Sequence, residues 1–383
     1  MIYFDYAATA PMSEQALEAY IKAAQTVYGN SQSLHEEGGR AAEWLSASRK
    51  KIAFLLGGTE EGLYFTGSGS EANVLALTSL LNGADPNKKE IVMGGMEHAS
   101  IRTYLHDLTN KGYVIKEAEP GTGGMIGWSE VEPLVSERTA LITVQHANSE
   151  TGIMHNIKEI AVHAQKNEIL FHSDCVQTFG KVPILAEEWG ISSVTVSAHK
   201  IHGPKGMGAS YISPKVAWKP AINGTAHENG FRPGTVDVPG TVSFAVAAME
   251  TVKEMDREQM KMREYRKRLV SFIEEKNIGM TIEAMDEKFQ LPAIIGCLLS
   301  HTEGQYAMLA CSQNGVALST GSACHSGMTK PSQALLALGI SEEQAHCFIR
   351  ISPGRGTEDS HFERLESILE KYCKRAAERM EYY

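Results

Sequence analysis

The chain has 383 residues and a formal charge of −10, with 43% hydrophobic and 21% charged residues, proportions of a globular protein of roughly two to three domains that exclude disorder and fibres. The acidic balance argues against a broad nucleic-acid footprint, because phosphate backbones call for a basic face. No uninterrupted apolar run of about 18 residues reads as a membrane span.

The first ten residues, MIYFDYAATA, lack the basic start of a signal peptide, so a cytoplasmic protein is expected. From about residue 60 to 215, short β-rich runs alternate with longer helical ones, the pattern of a parallel sheet covered by crossover helices. The expected strands are Leu63–Thr66, Glu90–Met93, Ala140–Gln145, Ile169–His172, Val194–Ser197 and Gly208–Ile212. Near-continuous apolar runs such as TALITVQ suit strands buried on both faces. Helical periodicity falls between them at 71–82, 99–111 and 156–167. The breaker-poor stretch 241–275 reads as one long helix joining a large domain to a smaller one. Alternating runs near 292–299 and 346–352 and a charged terminal helix at 358–380 complete the chain. There is no internal repeat and no flexible linker.

Chemistry-bearing residues punctuate this pattern. In YFTGSGSEANVLALTSLL a strand leads through a Gly/Ser turn into a helix, which aims unpaired N–H groups and a positive dipole end at an anion. Gly69 and Ser70 are placed to hold a phosphate there, or Ser70 is a plain N-cap. Neither a Walker loop nor a G-x-G-x-x-G spacing is present. Asp174 lies at the carboxyl end of a buried strand, where open α/β sheets place ligands, unless it caps the next helix. Lys200, between His199 and His202 in AHKIHGPKGMG, also sits just past a strand, where shielding can turn an amine into a nucleophile. A lysine, an aspartate and a phosphate-holding turn are together what pyridoxal phosphate requires: an amine to carry the aldehyde, a carboxylate to keep the pyridine nitrogen protonated, and a helix terminus for the phosphate.

The six cysteines (Cys175, Cys297, Cys311, Cys324, Cys347, Cys373) contain no C-x-x-C pair, which fits neither a disulfide framework nor a zinc site. Most read as buried small hydrophobes. Cys324 is the exception, because of its setting in STGSACHSG.

These motifs, in order FDYAATAP, GNSQSLH, FTGSGSEAN, MEHASI, HANSETG, HSDCVQ, SAHKIHGPKG, FRPGT, STGSACHSG and IRISPGR, span nearly the whole chain. The chain resembles the NifS/IscS-type cysteine desulfurases, in the class V aminotransferase group of fold type I pyridoxal-phosphate enzymes. The resemblance implies an α/β fold with a mainly parallel seven-stranded sheet in a large domain of residues 13–255. A smaller α+β domain of 1–12 and 256–383 would carry the Cys324 loop and Arg350. It also implies a homodimer with cofactor sites at the subunit boundary.

Carried over by position, the resemblance makes Lys200 the cofactor-bearing lysine, Asp174 the pyridinium partner, Gln177 a donor to the ring phenolate oxygen and His98 the ring stacked on the cofactor, or merely a helix-start residue. Gly69, Ser70, Ser197 and His199 match phosphate and ring contacts, and Thr235 in FRPGT would reach the phosphate of the neighbouring subunit. The family usually reads H-x-N-N-E where HANSETG stands, so Asn148 is kept while Ser149 replaces the second asparagine. A hydroxyl is shorter and offers one donor where an amide offers two; Ser149 is therefore expected near the ring with a gap filled by water or altered packing. Cys324 matches the persulfide-forming cysteine, since a thiolate can accept sulfur that would otherwise escape as sulfide. The spacing of Cys324 and Pro331 in CHSGMTKPS matches the long-loop branch of the family, whose cysteine hands sulfur directly to a partner protein. Arg350 matches the clamp on the substrate carboxylate, a task for a planar bidentate donor. Asn30 in GNSQS is a further candidate for the substrate wall.

The implied activity converts L-cysteine to L-alanine, with sulfur retained on Cys324 and passed to an acceptor such as an iron–sulfur scaffold or client, or a tRNA-thiolating enzyme. The alternatives on the same scaffold are a selenocysteine lyase or cysteine-sulfinate desulfinase, or another aminotransferase or lyase. No membrane contact, direct nucleic-acid binding or metal is expected.

Overall fold

The computed structural model describes residues 1–224, 226–321 and 331–380, with side chains through 374. Cys324 therefore lies outside the described residues. Twelve strands are found among them. These are β1 (Ile2–Tyr3), β2 (Leu63–Thr66), β3 (Glu90–Gly94), β4 (Val114–Ala118), β5 (Thr139–Thr143), β6 (Leu170–Asp174), β7 (Ser193–Ser197), β8 (Gly208–Ile212), β9 (Gly279–Thr281), β10 (Ile295–Leu299), β11 (Val316–Ala317) and β12 (Phe348–Ile351).

Seven of them form one sheet in the order β2-β8-β7-β6-β5-β3-β4. Neighbours from β7 to β4 are parallel, whereas β8 runs antiparallel to both β7 and β2. The unbroken apolar strands are explained by burial on both faces. Val92, Ile142 and Phe171 enter one core, while their neighbours Ile91, Met93 and Leu141 enter the core on the opposite face. The chain steps outward from β3 to β4 and then back across β3 to β5, so a crevice opens beyond the carboxyl ends of the strands.

Edge strand β4, VIKEA, is missing from the six strands that hydrophobic patterning picks out. It is only partly buried, and its Lys116 ammonium reaches across to Glu90 at 2.6 Å. The expected helix over 241–275 is instead two, Val238–Lys253 and Met255–Lys276, separated at Glu254. The first packs against the helices Glu14–Thr26 and Glu36–Leu55. The second buries Met262, Leu269 and Ile273 in a different core with Phe4, Ile295, Ile349 and Phe362. A straight rod could not serve both cores, which explains the break.

That second core is built around β9, β10 and β12, an antiparallel sheet. The start of the chain returns to it: β1 pairs in parallel with β11, and Asp5 bridges to Ser352. Among the described residues no helix is long and apolar enough to cross a membrane.

Candidate active site

A cleft of about 250 Å³ opens beyond the carboxyl ends of β6 and β7, where Asp174 and Lys200 project, and is bounded on one side by the Ala7–Ala8 segment and Arg350. Gly69, Ser70, His98, Ser149, Asp174, Gln177, Ser197, His199, Lys200 and Arg350 all line it. Three predicted positions do not. Asn30 is exposed and holds its own turn through Oδ1, which accepts from Gln32 N–H. Thr235 is exposed as well. Asn148 is buried, and its Oδ1 accepts from the backbone N–H groups of Glu150 and Thr151 while Nδ2 donates to the Met96 carbonyl; its side chain shapes the HANSETG turn.

At the Gly/Ser turn the N-cap is Ser68, whose hydroxyl accepts from Glu71 N–H, and the helix begins at Gly69. Gly69 and Ser70 therefore occupy the first two helical positions, whose N–H groups lack intrahelical acceptors. A Cβ on Gly69 would stand 2.9 Å from Val176 Cγ2 and 3.3 Å from Ser197 Cβ. Only glycine lets the helix start approach β7 so closely.

Asp174 is 8% exposed. Its Oδ1 accepts from Val176 N–H, so it does cap the turn that follows, and its Oδ2 accepts from Asn73 Nδ2 at 2.8 Å. Asn73 Oδ1 in turn meets His172 Nε2, and His172 Nδ1 meets the Ser193 hydroxyl. Burial pushes the His172 imidazole down to about 3, so this chain of contacts is neutral behind an acidic group. Gln177 donates through Nε2 to the Ala7 carbonyl and leaves its Oε1 buried without a partner among the described residues.

Lys200 sits in a single 3-10 turn, Ala198–Lys200, directly after β7. Its Nζ donates to the carbonyls of Ala7 and Ala8, both at 2.7 Å. Its neighbour His199 meets Thr9 Oγ1 at 3.1 Å. Burial first, and then the charges of Lys200, Lys205 and Lys181, push His199 down to about 4, so it is neutral at pH 7. His98 is the N-cap of the helix Ala99–Leu108, and its Nδ1 meets the Ser100 hydroxyl at 2.8 Å.

Arg350, on β12, is 3% exposed. It donates to the Ser149 carbonyl at 2.9 Å and to Asp5 Oδ1 at 2.7 Å, and its Nε–H has no partner among the described residues. The guanidinium is thus fixed in place with donor capacity remaining for a carboxylate. Ser149 reaches the site as a cleft wall and through its backbone.

Sequence reasoning missed Asn73, the Ala7 and Ala8 carbonyls, and Asp5. Asp5 stands in the FDYAATAP motif, so that motif was the available signal. Asn73 closes the FTGSGSEAN motif, which was read only at Gly69 and Ser70, and backbone carbonyls leave no mark in a sequence.

The residues present fit pyridoxal phosphate on this geometry. The close approach at Gly69 brings unpaired N–H groups to the cleft, Asp174 supplies a fixed carboxylate, Gln177 a buried amide with an unmatched oxygen, and Lys200 an amine. The thiols give a contrast. Cys175, Cys297, Cys311 and Cys373 are buried and free, and burial pushes Cys175 and Cys311 up to about 12. Such thiols do not form thiolates at neutral pH.

The family described as "Aminotransferase class-V" matches residues 2–365. The chain is 43% identical to a protein named putative cysteine desulfurase NifS from Bacillus subtilis, over 95% of this chain and 93% of that one. It is 35% identical to a cysteine desulfurase IscS from Anaeromyxobacter sp. (strain K), over 92% and 88%. A solved structure of a NifS-like protein superposes with a TM-score of 0.90 at 28% identity, covering 97% of this chain and 99% of that one.

Proposed function

The chain belongs to the aminotransferase class-V family as a pyridoxal-phosphate-dependent cysteine desulfurase of the NifS/IscS type, and on that footing we propose that its cleft takes L-cysteine and that Cys324 retains the sulfur as a persulfide. The observation that carries this reading is the convergence of Asp174 from the end of β6, Lys200 from the turn after β7 and Arg350 from within β12 on one cleft. The division of labour between a large unit of residues 13–255 and a small one of 1–12 and 256–383 is part of the proposal, supported by their separate cores.

The cofactor would be held by Lys200 and Asp174, by Gln177 at the ring oxygen, by His98 over the ring, and at its phosphate by Gly69, Ser70, Ser197 and His199. When bound, it supplies an electron-withdrawing ring that accepts charge from the substrate's α-carbon. The Arg350 guanidinium orients the substrate carboxylate and so fixes which α-bond faces the amine. The Lys200 Nζ, once free, takes the α-proton; the Ala7 and Ala8 carbonyls give that amine a fixed resting place. The Cys324 thiolate attacks the substrate sulfur, the carbon–sulfur bond breaks as a sulfur–sulfur bond forms, the carbon fragment gains protons and leaves as alanine, and the enzyme keeps a persulfide. Atoms balance without an outside oxidant.

A homodimer is part of the proposal. Thr235 is exposed as a residue serving the neighbouring subunit's phosphate must be, and the exposed apolar side chains Leu17, Ile21, Tyr28 and Leu34 suit a subunit contact. A cytoplasmic setting accords with free cysteines. The acceptor would be an iron–sulfur scaffold or client, or a tRNA-thiolating enzyme.

The test is turnover of L-cysteine by the purified protein with pyridoxal phosphate, following alanine and protein-bound sulfur together. Cys324→Ala is expected to retain the visible cofactor band, form no persulfide, and release alanine on the order of a hundredfold more slowly. Undiminished alanine release in that variant would remove Cys324 from the reaction; if selenocysteine were then turned over equally well, the lyase alternative would replace this reading.

A further inference from the structure

The helix start that offers its N–H groups to a phosphate also carries a charge of the wrong sign for one. Glu71 lies in the first turn of the helix Gly69–Gly83, one position past Ser70. The Glu71 N–H donates to the Ser68 hydroxyl at 3.1 Å, and its carboxylate reaches back to accept from the Gly67 N–H. A carboxylate in a first turn suits the helix dipole, and this one closes the turn before the helix. Residues 69 to 71 fall within a single helical turn, about 5.4 Å long, which is shorter than the screening distance of about 8 Å at physiological salt. An anion arriving at the Gly69 and Ser70 N–H groups is therefore repelled by Glu71.

Arg232 answers that charge. Its Nε lies 3.0 Å from each carboxylate oxygen of Glu71, and it is the cation paired with Glu71 among the described residues. Ser68, Gly69 and Ser70 line the cleft and the two paired side chains do not, so the pair stands behind the turn. A Cβ on Gly67 would be 3.0 Å from Glu71 Oε2 and 3.1 Å from Arg232 Nη2, which places the turn directly against the pair.

The segment that delivers Arg232 is held in an unfavourable backbone shape. Glu228 and Asn229 take φ of 47° and 52°, left-handed values that L side chains resist. Buried contacts hold it there. The Glu228 carboxylate accepts from the Phe65 N–H at 2.6 Å and pairs with Arg49 at 2.7 Å. Phe231 is fully buried and stacks on Tyr64, with ring centroids 4.7 Å apart. Tyr64 and Phe65 belong to β2, the strand that runs into the turn at 67–69. Arg232 is thus fastened to the strand that delivers the helix start, and strain kept in place by buried contacts beside a site marks a position under functional constraint.

We propose that Arg232 is a positioning residue for the cofactor phosphate: its guanidinium, straddling Glu71, cancels the carboxylate at the helix start, so that the Gly69 and Ser70 N–H groups meet the phosphate without an opposing charge. The proposal rests on the reading of Gly69 and Ser70 as the phosphate-holding positions.

The experiment titrates the cofactor-free full chain with pyridoxal phosphate and, separately, with pyridoxal, which has the ring and aldehyde but no phosphate. Arg232→Gln is expected to bind pyridoxal phosphate about tenfold more weakly with its pyridoxal affinity unchanged. Arg232→Lys keeps the charge and stays within about threefold of wild type. Glu71→Gln keeps an oxygen for the Gly67 N–H and removes the charge, so it should bind pyridoxal phosphate more tightly than wild type. The double variant, with neither charge, returns to near the wild-type affinity. No loss in Arg232→Gln, a loss shared equally by pyridoxal, or a double variant as weak as Arg232→Gln overturns the proposal. Should Arg232→Gln fail to fold, Glu71→Gln decides, and an affinity no tighter than wild type in it overturns the proposal. Wild-type protein that binds pyridoxal phosphate no better than pyridoxal would instead overturn the reading of Gly69 and Ser70 itself.

Discussion

Lys200→Ala is expected to abolish covalent attachment of pyridoxal phosphate, remove the visible band, and lower L-cysteine turnover by at least about 10³-fold. The protein should remain folded. Lys200 contributes its amine to two backbone carbonyls of the Ala7–Ala8 segment, but that segment keeps other anchors, since Ala7 N–H donates to the Ser352 hydroxyl and its carbonyl still accepts from Gln177. Removal of the Lys200 charge also relieves the depression of His199 and Lys181. Absorption spectra, thermal melting and alanine production measured on the same preparation separate loss of chemistry from loss of fold. Retention of the band in a folded Lys200→Ala protein would assign the aldehyde to another amine.

Asp174→Asn should lower kcat on the order of 10²–10⁴-fold while leaving Lys200 able to carry the cofactor. The substitution preserves shape and alters charge. Both carboxylate oxygens are engaged, Oδ1 by Val176 N–H and Oδ2 by Asn73 Nδ2. An asparagine keeps an oxygen for one of these donors and turns an amide N–H₂ toward the other, so one hydrogen bond is lost as well as the negative charge. A pyridine nitrogen beside a neutral amide is no longer held protonated, and the ring withdraws electrons less strongly. The check is steady-state kinetics at saturating cofactor with the Lys200 linkage confirmed spectroscopically. An Asn variant with wild-type kcat would show that Asp174 is only the cap of its turn.

The sheet was legible where both faces are buried, because Val, Ile, Leu and Phe then follow one another without alternation. It was illegible at β4, where an exposed edge admits Lys116 and Glu117 and the apolar signal fades; the seventh strand came from the family resemblance. The long helix misread over 241–275 has a different cause. Both halves carry helical periodicity, and nothing local at Glu254 marks a stop; the separation follows from the two cores that the halves serve. In the cleft, side chains with chemistry of their own were legible as motifs. Their partners were not: Asp5 and Arg350 meet from opposite ends of the chain, and Asn73 gains its role only when β6 passes the helix Gly69–Gly83. Asn148 stands in a functional motif too, and its amide meets backbone groups: Oδ1 accepts from the Glu150 and Thr151 N–H groups of its own turn and Nδ2 donates to the Met96 carbonyl.

The most direct measurement is hydride reduction of the native protein loaded with pyridoxal phosphate, followed by digestion and mass mapping of the pyridoxyl group. A single modified peptide bearing the group on Lys200 is the predicted result. No pyridoxyl group on Lys200, or its appearance on a different lysine, would contradict the assignment of this cleft.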